Sequence, residues 1–190
     1  MASTQAERTS ALAGSYTAGR FGMDGEAGVV FQEMVNLSLG LVAAWPDSFA
    51  AVAALAAEAV GAEAAPGPGK TVAGTKGALL RTEPLKFWIV GAAAPELSPE
   101  QGASLDLSHS RCHLRVSGPA AAELINRHLP LDLGEASCPV GTVMASAFHH
   151  VGVTLWRSEA GFELFLPRGF ALSLWEILQD SAAQFGFEVI

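Results

Sequence analysis

Charge is what this sequence has least of. Of 190 residues, 16% are Asp, Glu, Lys or Arg and 50% are apolar, against roughly 25% charged in an ordinary globular domain. So few charges cover a monomer poorly. A mean hydropathy of +0.32 therefore points to apolar surface covered by a partner, with alanine richness supplying part of the figure. Bases are scarcer than acids: 11 Lys and Arg face 19 Asp and Glu, for a net charge of -8. A nucleic-acid binder needs a basic face to replace counterions, so that class is excluded. Cysteine is limited to Cys112 and Cys138. That makes no disulfide framework, and the expectation is a reduced, cytoplasmic protein. Gly, Pro or charge interrupts every apolar run before ~18 residues, so no membrane-spanning helix is expected. The opening MASTQAERTS has no basic start leading into an apolar run and does not read as a signal peptide.

The length suits one domain with a sizeable core. Residues 1–33, rich in Gly, Ser, Thr and Ala without a sustained period, read as a flexible N-terminal arm that either stays disordered or orders against a partner. The domain proper is 34–190. VNLSLGLVAAW (35–45) alternates like a half-buried strand. Pro46-Asp47-Ser48 then opens a helix capped by Asp47 or Ser48, with Phe49, Val52, Ala53, Ala56, Ala59 and Val60 on one face until Gly61. After the loop 62–77 come strands at 78–82 and 86–92 and a short helix near Ser98. The order then restarts with a strand from Leu105. Its apolar phase shifts from odd to even across Ser108-His109-Ser110, which predicts a bulge or bend. A helix follows Ser117-Gly118-Pro119, then strands near 142–149, 151–157 and 162–166. The last helix sets Phe170, Leu174, Ile177, Leu178, Ser181 and Phe185 on one stripe and stops at Gly186. Two strand–helix–strand–strand units predict an α+β domain of antiparallel sheets with helices packed on one face.

Several stretches invite a chemical reading. GPGKT (67–71) mimics a phosphate loop, but Ala64 stands where the first glycine is needed, a helix precedes it, and Pro66 and Pro68 stiffen it. A connecting loop is the better reading. Cys112, His113, Cys138, His149 and His150 lack the spacings of a metal site, and neighbours on a strand point to opposite faces. Cys112 sits on the apolar phase of its strand and reads as an inert thiol, whereas Cys138, before Pro139, reads as more exposed but without a base. DLSHSRCHLRVSGP (106–119) concentrates polar groups in Asp106, Ser108, His109 and Arg111. On a bulged strand these satisfy backbone groups or pair with a partner more readily than they form a triad. No catalytic, cofactor-binding or metal residue is assigned, and these four are the candidates for shaping the sheet or contacting a partner.

DLSHSRCHLRVSGPAAAELI also resembles the aminomethyltransferase-like folate-binding family, in which Asp-x-Ser-His leads into Val-x-Gly-Pro-x-Ala. LPLDLGEASCPVGTV, followed by VTLWRSEAGFELFLPRGFALSLWEIL, narrows the resemblance to the gamma subunits of heterotetrameric sarcosine oxidases, over roughly 35–190. Leu129 and Cys138 depart from residues common in that family. The resemblance implies a small non-catalytic subunit of a flavin-dependent oxidoreductase of one-carbon metabolism. Such a complex demethylates sarcosine to glycine and passes the one-carbon unit to tetrahydrofolate on the alpha subunit. It implies alpha, beta and delta partners that carry FAD, FMN, NAD, zinc and the folate, with no cofactor in this chain. Transferases of the family place acidic residues just before the strand matching VTLWR, where this chain has Val151 and Gly152. The Lys-Gly-Cys-x-x-Gly motif of stand-alone folate-binding proteins is missing too. The alternative reading is such a stand-alone folate-binding protein, or an assembly factor.

Overall fold

The computed structural model describes residues 9–190. Its strands are β1 (Gly19–Phe21), β2 (Val29–Glu33), β3 (Leu39–Ala44), β4 (Thr71–Ala73), β5 (Ala78–Glu83), β6 (Lys86–Val90), β7 (Gly102–Asp106), β8 (Arg111–Ser117), β9 (Val143–Phe148), β10 (Val151–Ser158), β11 (Gly161–Pro167) and β12 (Phe187–Val189). Three helices interrupt them: α1 (Phe49–Val60), α2 (Ala121–Asn126) and α3 (Ala171–Ala182). A seven-stranded sheet runs β1-β12-β2-β8-β11-β10-β9 and a five-stranded sheet runs β4-β5-β6-β3-β7. Every pairing is antiparallel except β12 with β2. Among the described residues no helix is long and apolar enough to cross a membrane.

Alternation along the strands builds the layers. In β6, Phe87 and Ile89 join Val52, Ala56 and Val60 of α1, while Trp88 turns the other way to meet Phe165 of β11 edge-on at 5.5 Å. In β11, Phe162, Leu164 and Leu166 face Leu124 of α2 and Leu174 and Trp175 of α3. The sheets therefore pack face to face, with α1 outside one and α2 and α3 outside the other. The first expected strand–helix–strand–strand unit lies in the five-stranded sheet, and the second lies in the seven-stranded sheet from β8 onward, its opening residues 105–106 belonging to β7 of the other sheet.

Some local expectations change. Ser48 does precede α1, but its hydroxyl donates to Trp45 and Gln101 carbonyls instead of capping the helix. The α1 C-terminus is as read: Gly61 adopts φ 73 and its N–H returns to Ala57 and Glu58 carbonyls. The segment near Ser98 is a turn without a helix, closed by the Gln101 N–H on the Ser98 carbonyl. The buried stripe of α3 is Ala171, Leu174, Trp175, Leu178 and Ala182. It is rotated toward Trp175 and leaves Phe170 exposed.

The arm read over 1–33 is the largest difference within the described residues; 1–8 lie outside them. From residue 9 onward it is anchored to the domain at separate points, while residues 17–26 stay exposed. Leu12 is fully buried, Tyr16 lies 5.2 Å from Trp175, and the Trp175 indole N–H donates to the Ser15 carbonyl. The Tyr16 hydroxyl donates to the Ile190 carbonyl at 2.9 Å and accepts from the Glu33 N–H at 2.7 Å. Single bulky residues among small polar ones make these contacts, and they leave no periodic signal to read.

Candidate functional site

DLSHSR is where the chain leaves one sheet for the other. β7 ends at Asp106 in the five-stranded sheet and β8 begins at Arg111 in the seven-stranded one. The phase shift is therefore a change of sheet, and the expected bulge within one strand is absent. A turn that changes sheets leaves peptide groups without a ladder, and the short polar side chains supply the partners. Asp106 Oδ1 accepts from the Ser108 N–H at 2.8 Å, and Ser108 Oγ accepts from the Leu39 N–H at 3.0 Å. Ser110 Oγ donates to the Leu107 carbonyl at 2.8 Å. Arg111 is half-buried, with its guanidinium 5.7 Å from the Trp88 ring centre and bonded to the Ser110 carbonyl. Burial pushes its pKa down. His109 is exposed at the turn. A surface cavity of about 530 Å³ includes Ser38, Gly40, Ser104, Asp106 and Ser108 in its wall. No serine of this turn is hydrogen-bonded to a histidine, which a nucleophile–base pair requires.

The cysteines and histidines are scattered. Cys112 is buried, as its phase indicated. Cys138 is buried as well, contrary to the exposure expected from its loop, because the loop folds back beside Leu133. Burial pushes its thiol pKa up, against the pull of Arg157 and Lys70. His149 and His150 form the exposed tip of the β9–β10 hairpin, with His149 at φ 53. His113 lies across the seven-stranded sheet from them. Among the described residues no three His, Cys, Asp or Glu side chains converge on a metal position. GPGKT is a connection: Gly69 turns at φ +70 and Lys70 pairs with Thr142 of the other sheet.

One constellation escaped the sequence reading. Glu163, at the centre of β11, is fully buried between the sheets. Its carboxylate accepts from Arg115 Nε at 2.7 Å and Ser158 Oγ at 2.8 Å, and it meets His113 Nε2 at 2.7 Å. The His113 ring stacks on Phe165 at 4.4 Å. Burial raises the Glu163 pKa, but the hydrogen bond and charge of His113, with Ser158 and Arg115, outweigh it and hold the carboxyl below its ordinary range. The signal was the single charge in GFELFLP, on the strand phase opposite Phe162 and Leu164. Because the carboxylate is sealed, no substrate reaches it, and its role is to lock β8 to β11. Where transferases of the resembled family carry acidic residues, β10 starts with half-buried Val151 and exposed Gly152. A Cβ added at Gly152 meets nothing within 4 Å.

No family model matches the chain. It is 33% identical over 154 residues to the sarcosine oxidase subunit gamma of Corynebacterium sp. (strain U-96), a match covering 76% of this chain and 74% of that one. Its fold superposes on a chain of the heterotetrameric sarcosine oxidase from Corynebacterium sp. U-96, solved with pyrrole 2-carboxylate, with a TM-score of 0.73 and 26% identity over 86% of this chain and 88% of that one. The glycine cleavage system aminomethyltransferase T of Bartonella henselae shares the fold, with a TM-score of 0.60 and 19% identity over 86% of this chain and 48% of that one. The fold and most of the chain's length agree with one set of relatives, and the chain belongs to the gamma-subunit family of sarcosine oxidases.

Proposed function

We propose that this chain is the small, non-catalytic subunit of a heterotetrameric, flavin-dependent sarcosine oxidase of the cytoplasm. In this reading, alpha, beta and delta subunits carry FAD, FMN, NAD, zinc and the folate site, and the isolated chain is inactive. The observation that carries it is the match to a gamma subunit along three quarters of both chains. The geometry supports it from the other side. Asp106, Ser108 and Ser110 are spent on backbone groups of the turn, Glu163 is sealed, and Gly152 offers no carboxylate. We assign Asp106, Ser108, His109 and Arg111 to sheet shaping and assembly. The stand-alone folate-binding reading is not favoured, since the sequence match to a gamma subunit covers more of both chains than the match to an aminomethyltransferase does.

The test is to tag this chain in its native host and purify it under gentle conditions. The expected product contains one copy of this chain with flavin-bearing subunits and oxidises sarcosine, while the chain expressed alone is colourless and silent. A colourless preparation from the host that holds no partner subunit, or folate turnover by the chain alone, overturns the reading.

A further inference from the structure

We propose that the outer edge of β9 docks an extended, acidic segment of a partner subunit; this rests on the subunit reading above. β9 is the last strand of its sheet and pairs regularly with β10 from Val143 to Phe148. The two-residue turn at His149-His150 and the bond from the Arg157 N–H to the Thr142 carbonyl (2.8 Å) fix which peptide groups face β10. They are those of Met144, Ser146 and Phe148. The N–H and C=O groups of Ala145 and Ala147 therefore point away from the sheet, and both residues are exposed.

Edge strands are commonly blunted by Lys, Pro, a bulge or a covering loop. VMASAF has none of these side chains, and its register has no break. The start of the same edge is already used for pairing. The Val143 N–H donates to the Gly69 carbonyl at 3.0 Å, and the Thr71 N–H donates to the Gly141 carbonyl at 2.8 Å. A partner strand would continue this line past Ala145 and Ala147.

Charge selects the occupant. The chain has 19 acidic residues, yet none lies in 64–82 or in 136–158. These two stretches meet at the pairing of Lys70 with Thr142. Exposed Lys70 and half-buried Arg157 stand at this end of β9, and His149 and His150 are exposed at the other. A second copy of β9 laid antiparallel would bring Lys70 against a histidine turn at both ends. An acidic strand from a different subunit meets the fixed charges of Lys70 and Arg157 at one end and two exposed imidazoles, able to donate hydrogen bonds to carboxylates, at the other.

The experiment compares residue-resolved amide exchange in the free chain and in the purified oxidase complex. The Ala145 and Ala147 amides are expected to slow by about tenfold or more on assembly. Ala147→Pro removes one outward N–H but no bond to β10. It should weaken retention of the partner by about tenfold, and Lys70→Glu should weaken it further at low salt. If the proline variant does not fold, the exchange comparison in the wild-type complex still decides. Exchange at these two amides that is unchanged in an intact complex overturns the proposal and leaves the subunit reading standing. Protection in a dimer of the chain alone overturns it in favour of self-pairing. A wild-type chain that retains no flavin-bearing partner removes both.

Discussion

Replacing Glu163 by Gln keeps the shape of the side chain and removes its charge. The carboxylate has no solvent contact, so its interactions are not diluted by water. It meets three side chains at 2.7–2.8 Å: Arg115, His113 and Ser158. A hydrogen bond to a charged group contributes about 1.5–3 kcal/mol, and breaking a buried ion pair costs about 3–5 kcal/mol. Gln retains one acceptor for Arg115, so the loss expected is about 3 kcal/mol. For a chain of this size each kcal/mol moves the melting point by about 2–4 °C, giving a fall of about 6–12 °C at pH 7 by circular dichroism. The pH dependence follows from the depressed folded pKa. The stabilisation is fully present above the unfolded carboxyl value, about 4.3, and is lost as pH falls through the lower folded value. The gap between wild type and Glu163→Gln should therefore stay constant down to about pH 5 and close below about pH 4. Equal melting points at pH 7, or a gap that widens on acidification, would refute the assignment of Glu163 as the lock between β8 and β11.

Leu174→Ala should cost about 2–5 kcal/mol and Trp175→Ala about 3–5, since both are buried and Trp175 also meets Phe31 edge-on at 5.0 Å; unchanged unfolding in urea would place the core elsewhere. Gly118→Ala should destabilise by at least ~1–3 kcal/mol, because at φ +101 its new Cβ would lie 2.6 Å from the Gly28 carbonyl oxygen; an unshifted melt would contradict this geometry. In the assembled oxidase, His109→Asn should leave turnover per flavin nearly unchanged, and a fall of ~100-fold with assembly intact would identify a general acid or base.

Period-two and period-3.6 patterns made β3, α1, β5, β6 and β9–β11 legible, along with the end of α1 at Gly61. What stayed hidden has physical reasons. The change of sheet at Ser108-His109-Ser110 looks in sequence like a bulge, because both reverse the buried phase and only three-dimensional pairing separates them. β4 and β12 are three residues each, too short to show alternation, and β12 is held by tertiary pairing with β1 and β2. In α3, alanines at 171 and 182 belong to the buried face while Phe170 does not. Ranking by hydrophobicity alone therefore misplaced the stripe. Asp106, Ser108, His109 and Arg111 stand out in the sequence as a polar cluster, although the segment reads there as a bulged strand and not as a turn. Glu163 was missed because one acid among aromatics reads as a solvent-facing position until a second sheet is known to cover it.

The position of β12 between β1 and β2 has a consequence for how the subunit is made. β12 is inserted between β1 and β2, so residues 187–189 must be made before the seven-stranded sheet can close around residues 19–33. Until then β1 has no neighbour and β2 has an open side, and the closing contacts span nearly the full sequence, the slowest kind to find. The five-stranded sheet, whose strands lie between Leu39 and Asp106, can form earlier. Synthesis would therefore pass through a half-built particle with one finished sheet and one waiting for its last strand. Removing β12 would leave β1 without the strand it pairs with and expose the side of β2, a far greater injury than trimming a loop.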